Sequence, residues 1–453
     1  MFPNKSRFLY VNEERLNRMD KRLKELIQFI QEHENWLELL KAPPYNLRIR
    51  QNPKKENQYI FSYDMIKSNM SLDIVKVSRG LILEIKSLHL FDESKDYRIE
   101  RAEIVRECNV IVRAFDKFFN YGEGNADEIN WDGKIYAFEK LDGSLIKYTT
   151  IKDIDSKIHH GVWHRKLWTT NNGFDASASL PGDLICEHDT FQDLIDEAIK
   201  NWDPTVIYDM KELGKEFVFI FEITSPFNRV VVPYTTIDLW WLGCRHKETG
   251  KEYLPRDLLH TGMTGKFYEA VNRMLLEIKQ PKLYELTSKN LNEVVEIVSK
   301  MGSDNEGIVV VDENFNRIKI KGEAYLSIHR MKDGNGQLST EHILKCIQNE
   351  TIDDILGMFP EYVGAINEVV NLYKIADNKI DEVFYMYDHY IANIYHVDKD
   401  GPTMKKEFAM KVKDSPFSKI YFNIYKYGKL PEIKLDYLKG LDYDSLKKLA
   451  GRT

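Results

Sequence analysis

Cysteine is scarce in this chain, and long apolar runs are missing. The four cysteines in 453 residues, Cys108, Cys186, Cys244 and Cys346, lie far apart and form no CxxC or Cys/His spacing. That excludes a zinc ribbon or a disulfide framework and points to a reducing compartment. No stretch approaches the roughly 18 apolar residues of a membrane span, and the first residues, MFPNKSRFLY, contain no apolar signal core. The expected setting is the cytoplasm, with no membrane partner. Internal repeats and low-complexity tracts are absent too. Basic residues are not in excess: 64 Lys plus Arg face 71 Asp plus Glu, a formal charge of −7. A histone-like protein holding nucleic acid by bulk charge is excluded, whereas a local basic groove is not.

What is present supports packed cores. Hydrophobic residues make up 43% and charged residues of both signs 30%, which excludes wholesale disorder. The length suits two or three domains at roughly 150 residues each. Leu16, Met19, Leu23, Leu26, Ile27 and Ile30 recur at helical spacing and predict a helix from Asn12 to Lys41, stopped by Pro43 and Pro44. From Tyr59 to Gly322 the pattern changes to short β-branched and aromatic runs. They predict strands at Tyr59–Tyr63, Gly80–Ile85, Val110–Phe115, Lys134–Leu141, Leu145–Ile151, Glu216–Thr224, Arg229–Tyr234, Ile237–Arg245, Gly307–Asp312 and Arg317–Lys321. Helical stretches near Phe191–Trp202 and Leu254–Val298 interrupt them.

After Lys332-Asp333-Gly334-Asn335-Gly336 the strand pattern ends. Helical periodicity follows at Ser339–Gln348, Ile352–Met358, Val363–Tyr373, Lys379–His396 and Met404–Val412. The fold class is therefore α+β, with an antiparallel region in residues 1–332 and a helical domain in residues 337–453. Residues 341–400 carry 4 basic and 12 acidic side chains, and residues 401–453 carry 12 basic and 6 acidic ones. The basic tail interleaves lysine with Tyr421, Tyr425, Tyr427, Tyr437 and Tyr443, types that neutralise phosphates and stack on bases. Lysines on a solvated helix above half-buried tyrosines would read the same way.

The chemistry-bearing residues centre on Glu139-Lys140-Leu141-Asp142-Gly143-Ser144-Leu145: a lysine ending an apolar strand, a tight Asp-Gly turn, then another strand. A partly desolvated lysine is a candidate nucleophile. Glu222 lies in Phe217–Thr224, where both alternating faces are apolar, so its carboxylate needs a partner, a hydrogen bond or a metal. Glu306-Gly307 opens an apolar run. Lys319 and Lys321 stand two apart, so a strand aims both at one face, and a polyanion such as triphosphate would relieve their repulsion. His159, His160 and His164 read as surface histidines, His329 as a structural one, and Trp240-Trp241 as strand core.

In this order, Lys140-Leu141-Asp142-Gly143, Glu222, Glu306-Gly307 and Lys319-Ile320-Lys321 resemble motifs I, III, IV and V of the covalent nucleotidyltransferases. The finer resemblance is to the RNA ligase 1 family, the bacteriophage tRNA-repair ligases. It rests also on Ile60–Tyr63, Arg79-Gly80, Asp116–Asn120, Pro226–Tyr234 and Ile318–His329. The resemblance implies an adenylation domain of antiparallel sheets with flanking helices, followed by a helical domain that sets RNA preference. It implies an enzyme, in the host cytoplasm if phage-encoded, that uses ATP and Mg²⁺, or Mn²⁺ in its place; the sequence leaves the oligomeric state open, with a monomer favoured. The RNA partners would carry 5′-phosphate and 3′-hydroxyl ends, cleaved tRNA among them. Lys140 would be the nucleophile, with Glu222, Lys319 and Lys321 supporting catalysis. Tyr63, Arg79, Lys117, Glu139, Asp142, Gly143, Glu222, Glu306, Lys319 and Lys321 would line the ATP site, and Glu222, Glu306 and Asp353 would handle metal. One departure stands out: where relatives often carry Lys-Gly or Arg-Gly, this chain has Thr169-Thr170-Asn171-Asn172-Gly173-Phe174. A DNA ligase, a GTP-using capping enzyme and a catalytically silent RNA-binding adaptor are the rival readings.

Overall fold

The computed structural model describes residues 13–90, 103–153, 163–177, 189–228, 232–260, 265–302, 304–322, 339–349, 352, 363–394, 402–415, 417–428 and 431–451. The chain divides into two compact units, Met1–Asp64 with Ser68–His329, and Met65–Lys67 with Arg330–Thr453.

The strands of the first unit are, in chain order, β1 (Arg48–Asn52), β2 (Lys55–Ser62), β3 (Arg79–Leu90), β4 (Glu103–Val112), β5 (Phe119–Asn120), β6 (Ile135–Lys140), β7 (Ser144–Asp153), β8 (Trp163–Thr170), β9 (Phe217–Thr224), β10 (Asp238–His246), β11 (Glu252–Tyr253), β12 (Leu283–Tyr284), β13 (Gly307–Asp312) and β14 (Arg317–Lys321). Among the described residues they form three sheets, ordered β1-β2-β3-β4, β11-β10-β9-β7-β8 and β12-β6-β13-β14-β5. All the pairings are antiparallel except β14 with β5. The strands on either side of the Asp-Gly turn lie in different sheets, so Leu141–Gly143 is the crossing point between two layers.

The helix expected over Asn12–Lys41 is broken into pieces, including Lys21–Glu32 and Trp36–Lys41. Asp20 is extended and its carboxylate accepts from the Leu23 backbone N–H, while His33 is extended at the far end. An Asp in that role starts a new helix. Leu23, Leu26, Ile27 and Ile30 are at most 1% exposed and join one core with Phe61, Leu81 and Leu83 of the first sheet. Each such side chain contributes roughly 1.5–3 kcal/mol of burial free energy. The helix expected over Leu254–Val298 is likewise interrupted, by a 3₁₀ turn at Pro255–His260 and by β12, leaving helices at Lys266–Glu277 and Leu291–Ser299. Pro281 and the positive φ of Gly265 mark the breaks. β1, β8 and the helix Pro204–Leu213 were not anticipated. Of the expected strand Arg229–Tyr234, residues 229–231 lie outside the described residues, and 232–234 form no strand.

In the third sheet, alternation separates core from site. Ala137, Ile308, Val310 and Ile318 are buried with Val294 and Val298 of the helix Leu291–Ser299. Tyr136, Phe138, Lys140, Val309, Arg317 and Lys319 line the opposite face, which borders a cleft.

The second unit is helical in its described residues: Thr340–Gln348, Val363–Ile394, Pro402–Val412, Ser418–Tyr427, Pro431–Lys439 and Tyr443–Ala450. The expected helices Val363–Tyr373 and Lys379–His396 form one 32-residue helix. Most of the expected Ile352–Met358 helix lies outside the described residues. On the long helix, buried Asp377 accepts from Lys67 of the short Met65–Lys67 segment and pairs with Lys434 at 2.8 Å. Gln348 donates to the Leu438 and Leu441 carbonyls at 2.9 and 2.7 Å, closing the end of the bundle.

Candidate active site

Three neighbouring strands set the centre of the site. Gly307 on β13 pairs with Lys140 on β6 and with Lys321 on β14, so the two lysines flank it in register. A Cβ at Gly307 would stand 2.1 Å from the Ile320 carbonyl oxygen, at φ +147°, so only glycine lets the strands approach this closely. The preceding residue, buried Glu306, then reaches both lysines: Oε2 accepts from Lys140 Nζ at 2.5 Å and Oε1 pairs with Lys321 Nζ at 2.6 Å. Burial opposes ionisation of Glu306, yet Lys140 and Lys321 outweigh it and hold the carboxyl below its ordinary range.

Lys140 opens onto a cleft of about 750 Å³ walled by Arg79, Lys117, Glu139, Gly143, Glu222 and Lys319. Arg79, Lys117, Lys140 and Lys319 give it the cationic wall expected for phosphate. The Arg79 guanidinium carbon lies 5.2 Å from the Phe118 ring centre. Its Nε and Nη1 are buried without a hydrogen-bond partner among the described residues. Lys117 is buried, with Nζ 5.4 Å from the ring centre of Tyr63, which therefore supports the cleft from behind. Gly143 lets the turn press against β9: a Cβ there would stand 2.3 Å from the Ile223 carbonyl oxygen and 3.0 Å from Glu222 Cγ.

Glu222 lies within the stretch Phe217–Thr224, whose other members are all buried. Glu222 itself is half-buried and lines the cleft. Neither a hydrogen bond nor an ion pair engages it among the described residues. Burial pushes this carboxyl up to about 8, Lys140 opposing and Glu306 adding to the rise. A carboxyl raised in the folded state stabilises the fold below its unfolded value, near 4.5, and that stability is lost as pH climbs through 8. Glu222→Gln carries no charge to desolvate. Its melting temperature should gain on the wild type between pH 5 and pH 8 and level off above, and added Mg²⁺ should narrow the gap at pH 9 by stabilising only the wild type. A difference independent of pH would show that Glu222 is already satisfied.

A carboxylate without a hydrogen-bond or ion-pair partner among the described residues, on a cation-lined cleft suited to phosphates, fits a divalent ion. Among the described residues no group of three His, Cys, Asp or Glu side chains could hold one alone. One carboxylate suffices for Mg²⁺, which keeps several waters and takes phosphate oxygens as further ligands. Both oxygens of Glu306 are committed to lysines, so of the two acids Glu222 is the better placed for the ion. Asp353 lies outside the described residues.

Four expected nucleotide-site residues stand outside the cleft wall: Tyr63, Glu306, Lys321 and Asp142. Asp142 is buried, with Oδ2 accepting from the Val232 backbone N–H at 2.7 Å, while its own N–H donates to the Tyr234 hydroxyl at 3.2 Å. Its work is to hold the turn. Arg317 and Asn171 line the cleft although neither was anticipated. Arg317 continues the two-residue alternation of Lys319 and Lys321, and its guanidinium pairs with Glu252 while lying 4.1 Å from the Phe115 ring centre. Trp241 is fully buried, as its strand predicts. His159, His160 and His329 lie outside the described residues, and His164 is half-buried at the start of β8.

An α+β fold with a lysine-lined cleft at the crossing of two sheets is what the resemblance to the covalent nucleotidyltransferases implied. A family model described as RNA ligase matches residues 79–325, more than half of the chain, and the chain belongs to that family. It is an RNA ligase. A curated relative, the RNA ligase of Rhodothermus phage RM378, is 25% identical over 360 residues, covering 69% of this chain and 78% of the relative. Among solved structures, an archaeal ATP-dependent RNA ligase matches 77% of this chain and 82% of its own at 11% identity, with a TM-score of 0.38. A Naegleria gruberi RNA ligase solved with ATP and Mn matches 64% and 97% at 12% identity, with a TM-score of 0.28. No described helix is long and apolar enough to cross a membrane.

Proposed function

We propose that this ligase spends ATP to join RNA 5′-phosphate and 3′-hydroxyl ends through a lysine-bound adenylate. The observation that carries the reading is Lys140 Nζ, held by Glu306 at the edge of a cleft that also presents Arg79, Lys117 and Lys319. The Lys140 amine, after losing a proton, attacks the α-phosphorus; the P–N bond forms as the bond to pyrophosphate breaks. The RNA 5′-phosphate then takes the AMP from the lysine, and a 3′-hydroxyl displaces AMP to form the phosphodiester. Lys319 offsets charge that builds on the α-phosphate as pyrophosphate leaves, while Lys321 and Lys140 share Glu306 and so keep the nucleophile at one position. A magnesium ion at Glu222 would supply further charge neutralisation on the phosphates. Incubation with α-labelled ATP should label the protein and γ-labelled ATP should not. Excess unlabelled GTP should fail to compete, and RNA should be joined in preference to DNA; stronger competition by GTP would favour the capping reading.

The helical unit is proposed to hold the RNA, a cleaved tRNA among the candidates. Its tyrosines divide: Tyr421 is buried and Tyr425 stacks on Phe408 with ring centres 4.9 Å apart, whereas Tyr427 is 55% exposed. Core tyrosines beneath lysines leave the charge as the recognition element. Lys406, Lys411 and Lys413 are exposed. Reversing all three to Glu should raise the RNA KM and flatten its salt dependence by about 0.7 log units per log unit of salt for each lost single-strand contact. Self-adenylation should stay intact; its loss would assign the lysines to folding instead.

A further inference from the structure

Lys147 lies on β7 outside the chemistry above, and its setting is unusual. It is fully buried, and its Nζ donates to the Gly80 carbonyl at 3.1 Å. Gly80, at φ +64°, is pinched between two groups: a Cβ there would stand 2.6 Å from Lys147 Nζ and 2.3 Å from the Asn171 carbonyl oxygen. The residue before it is Arg79, whose Nε and Nη1 are buried with no hydrogen-bond partner among the described residues. No carboxylate pairs with Lys147 or Arg79 among the described residues. A fully buried amine beside a half-buried guanidinium, with Glu222 acting on the guanidinium only at longer range, is costly in its charged form unless an anion joins them. Burial, and then the Arg79 charge, pulls the Lys147 amine down to about 7, the direction an awaited anion would reverse. Arg79 and Asn171 both face the cleft.

We propose that Lys147 is a positioning residue for the nucleotide phosphates: it fixes the Arg79–Gly80 peptide and stands as an uncompensated cation behind Arg79, so that the pair holds a phosphate where the loop after β8 supplies no basic residue. The proposal rests on ATP as the substrate of this cleft. β7 and β8 are neighbours, with Lys147 opposite Thr169, so the cation comes from one strand and the empty place in the loop begins two residues beyond its partner.

The test is the ATP dependence of self-adenylation in Lys147→Met, Lys147→Gln and Lys147→Gln with Asn171→Lys. Gln keeps a donor for the Gly80 carbonyl and removes only the charge. Both single variants should raise the ATP KM about tenfold or more, the scale of a lost charge-assisted contact. Their kcat at saturating ATP should stay within about threefold of wild type, because the reacting atoms are untouched. Adding Asn171→Lys should bring the KM back toward wild type by returning a cation to the cleft wall. A wild-type KM in Lys147→Gln would overturn the proposal and leave Lys147 as a structural donor. A raised KM that Asn171→Lys leaves unchanged would overturn the claim that charge is what Lys147 supplies. Failure of the wild type itself to label would instead remove the ATP reading, a result distinct from either.

Discussion

Lys140→Ala should abolish labelling by α-labelled ATP, with a fall of at least about 10⁴-fold, the scale on which enzymes lose rate when a covalent nucleophile is removed. Lys140→Arg should fare no better, because a guanidinium is never deprotonated and cannot attack phosphorus. Loss of fold is a separate matter that one measurement resolves. Sealing of a pre-adenylated RNA needs no bond to the lysine, so Lys140→Ala should retain it. The substitution also leaves Glu306 with Lys321 as its remaining described partner, which keeps the buried carboxylate paired. Labelling of Lys140→Ala at the wild-type rate would refute the assignment of the nucleophile.

Lys319→Ala should slow self-adenylation on the order of 10²–10³-fold, as expected when one preorganised cation is removed from developing negative charge. Lys319 is 8% exposed and lines the cleft beside Val309 of the neighbouring strand, so its ammonium has little room to be replaced by water. Lys319→Arg should recover part of the rate, since the charge returns at a different reach. A Lys319→Ala enzyme with wild-type adenylation at saturating ATP, measured by single turnover, would assign the residue to ground-state binding alone.

Much of the site was legible because strands encode faces in a two-residue period. Lys319 and Lys321 declared a common face, and the buried run around Glu222 declared a carboxylate that needed a reason. Arg317 was available from the same alternation, one step further toward the N-terminus, and was overlooked. Other parts depended on long-range register that no local pattern contains. Nothing near Glu306 says that its two oxygens reach Lys140 and Lys321, because that follows from Gly307 pairing with both lysines across three strands. Asp142 looked like a ligand residue beside the nucleophile, yet its carboxylate turns to the Val232 N–H, ninety positions along the chain. Nothing local to the strand Leu145–Ile151 marks Lys147, because its setting comes from the Gly80 carbonyl 67 positions away. Among helices, periodicity found the apolar faces correctly but ran through Asp20 and Pro281, where capping and proline chemistry end one element and begin another. In the helical unit the tyrosines gave no sign of which were core, since Tyr421 and Tyr427 differ only in the face each takes on one helix.

The most direct measurement is peptide mass spectrometry of the wild-type protein after incubation with ATP and Mg²⁺, followed by a chase with 5′-phosphorylated RNA. The account predicts one AMP adduct, on the Lys140 side chain, which disappears on addition of RNA as an adenylated RNA and then a joined product appear. An adduct on another residue, or RNA joining with no protein adenylate at any time, would contradict it.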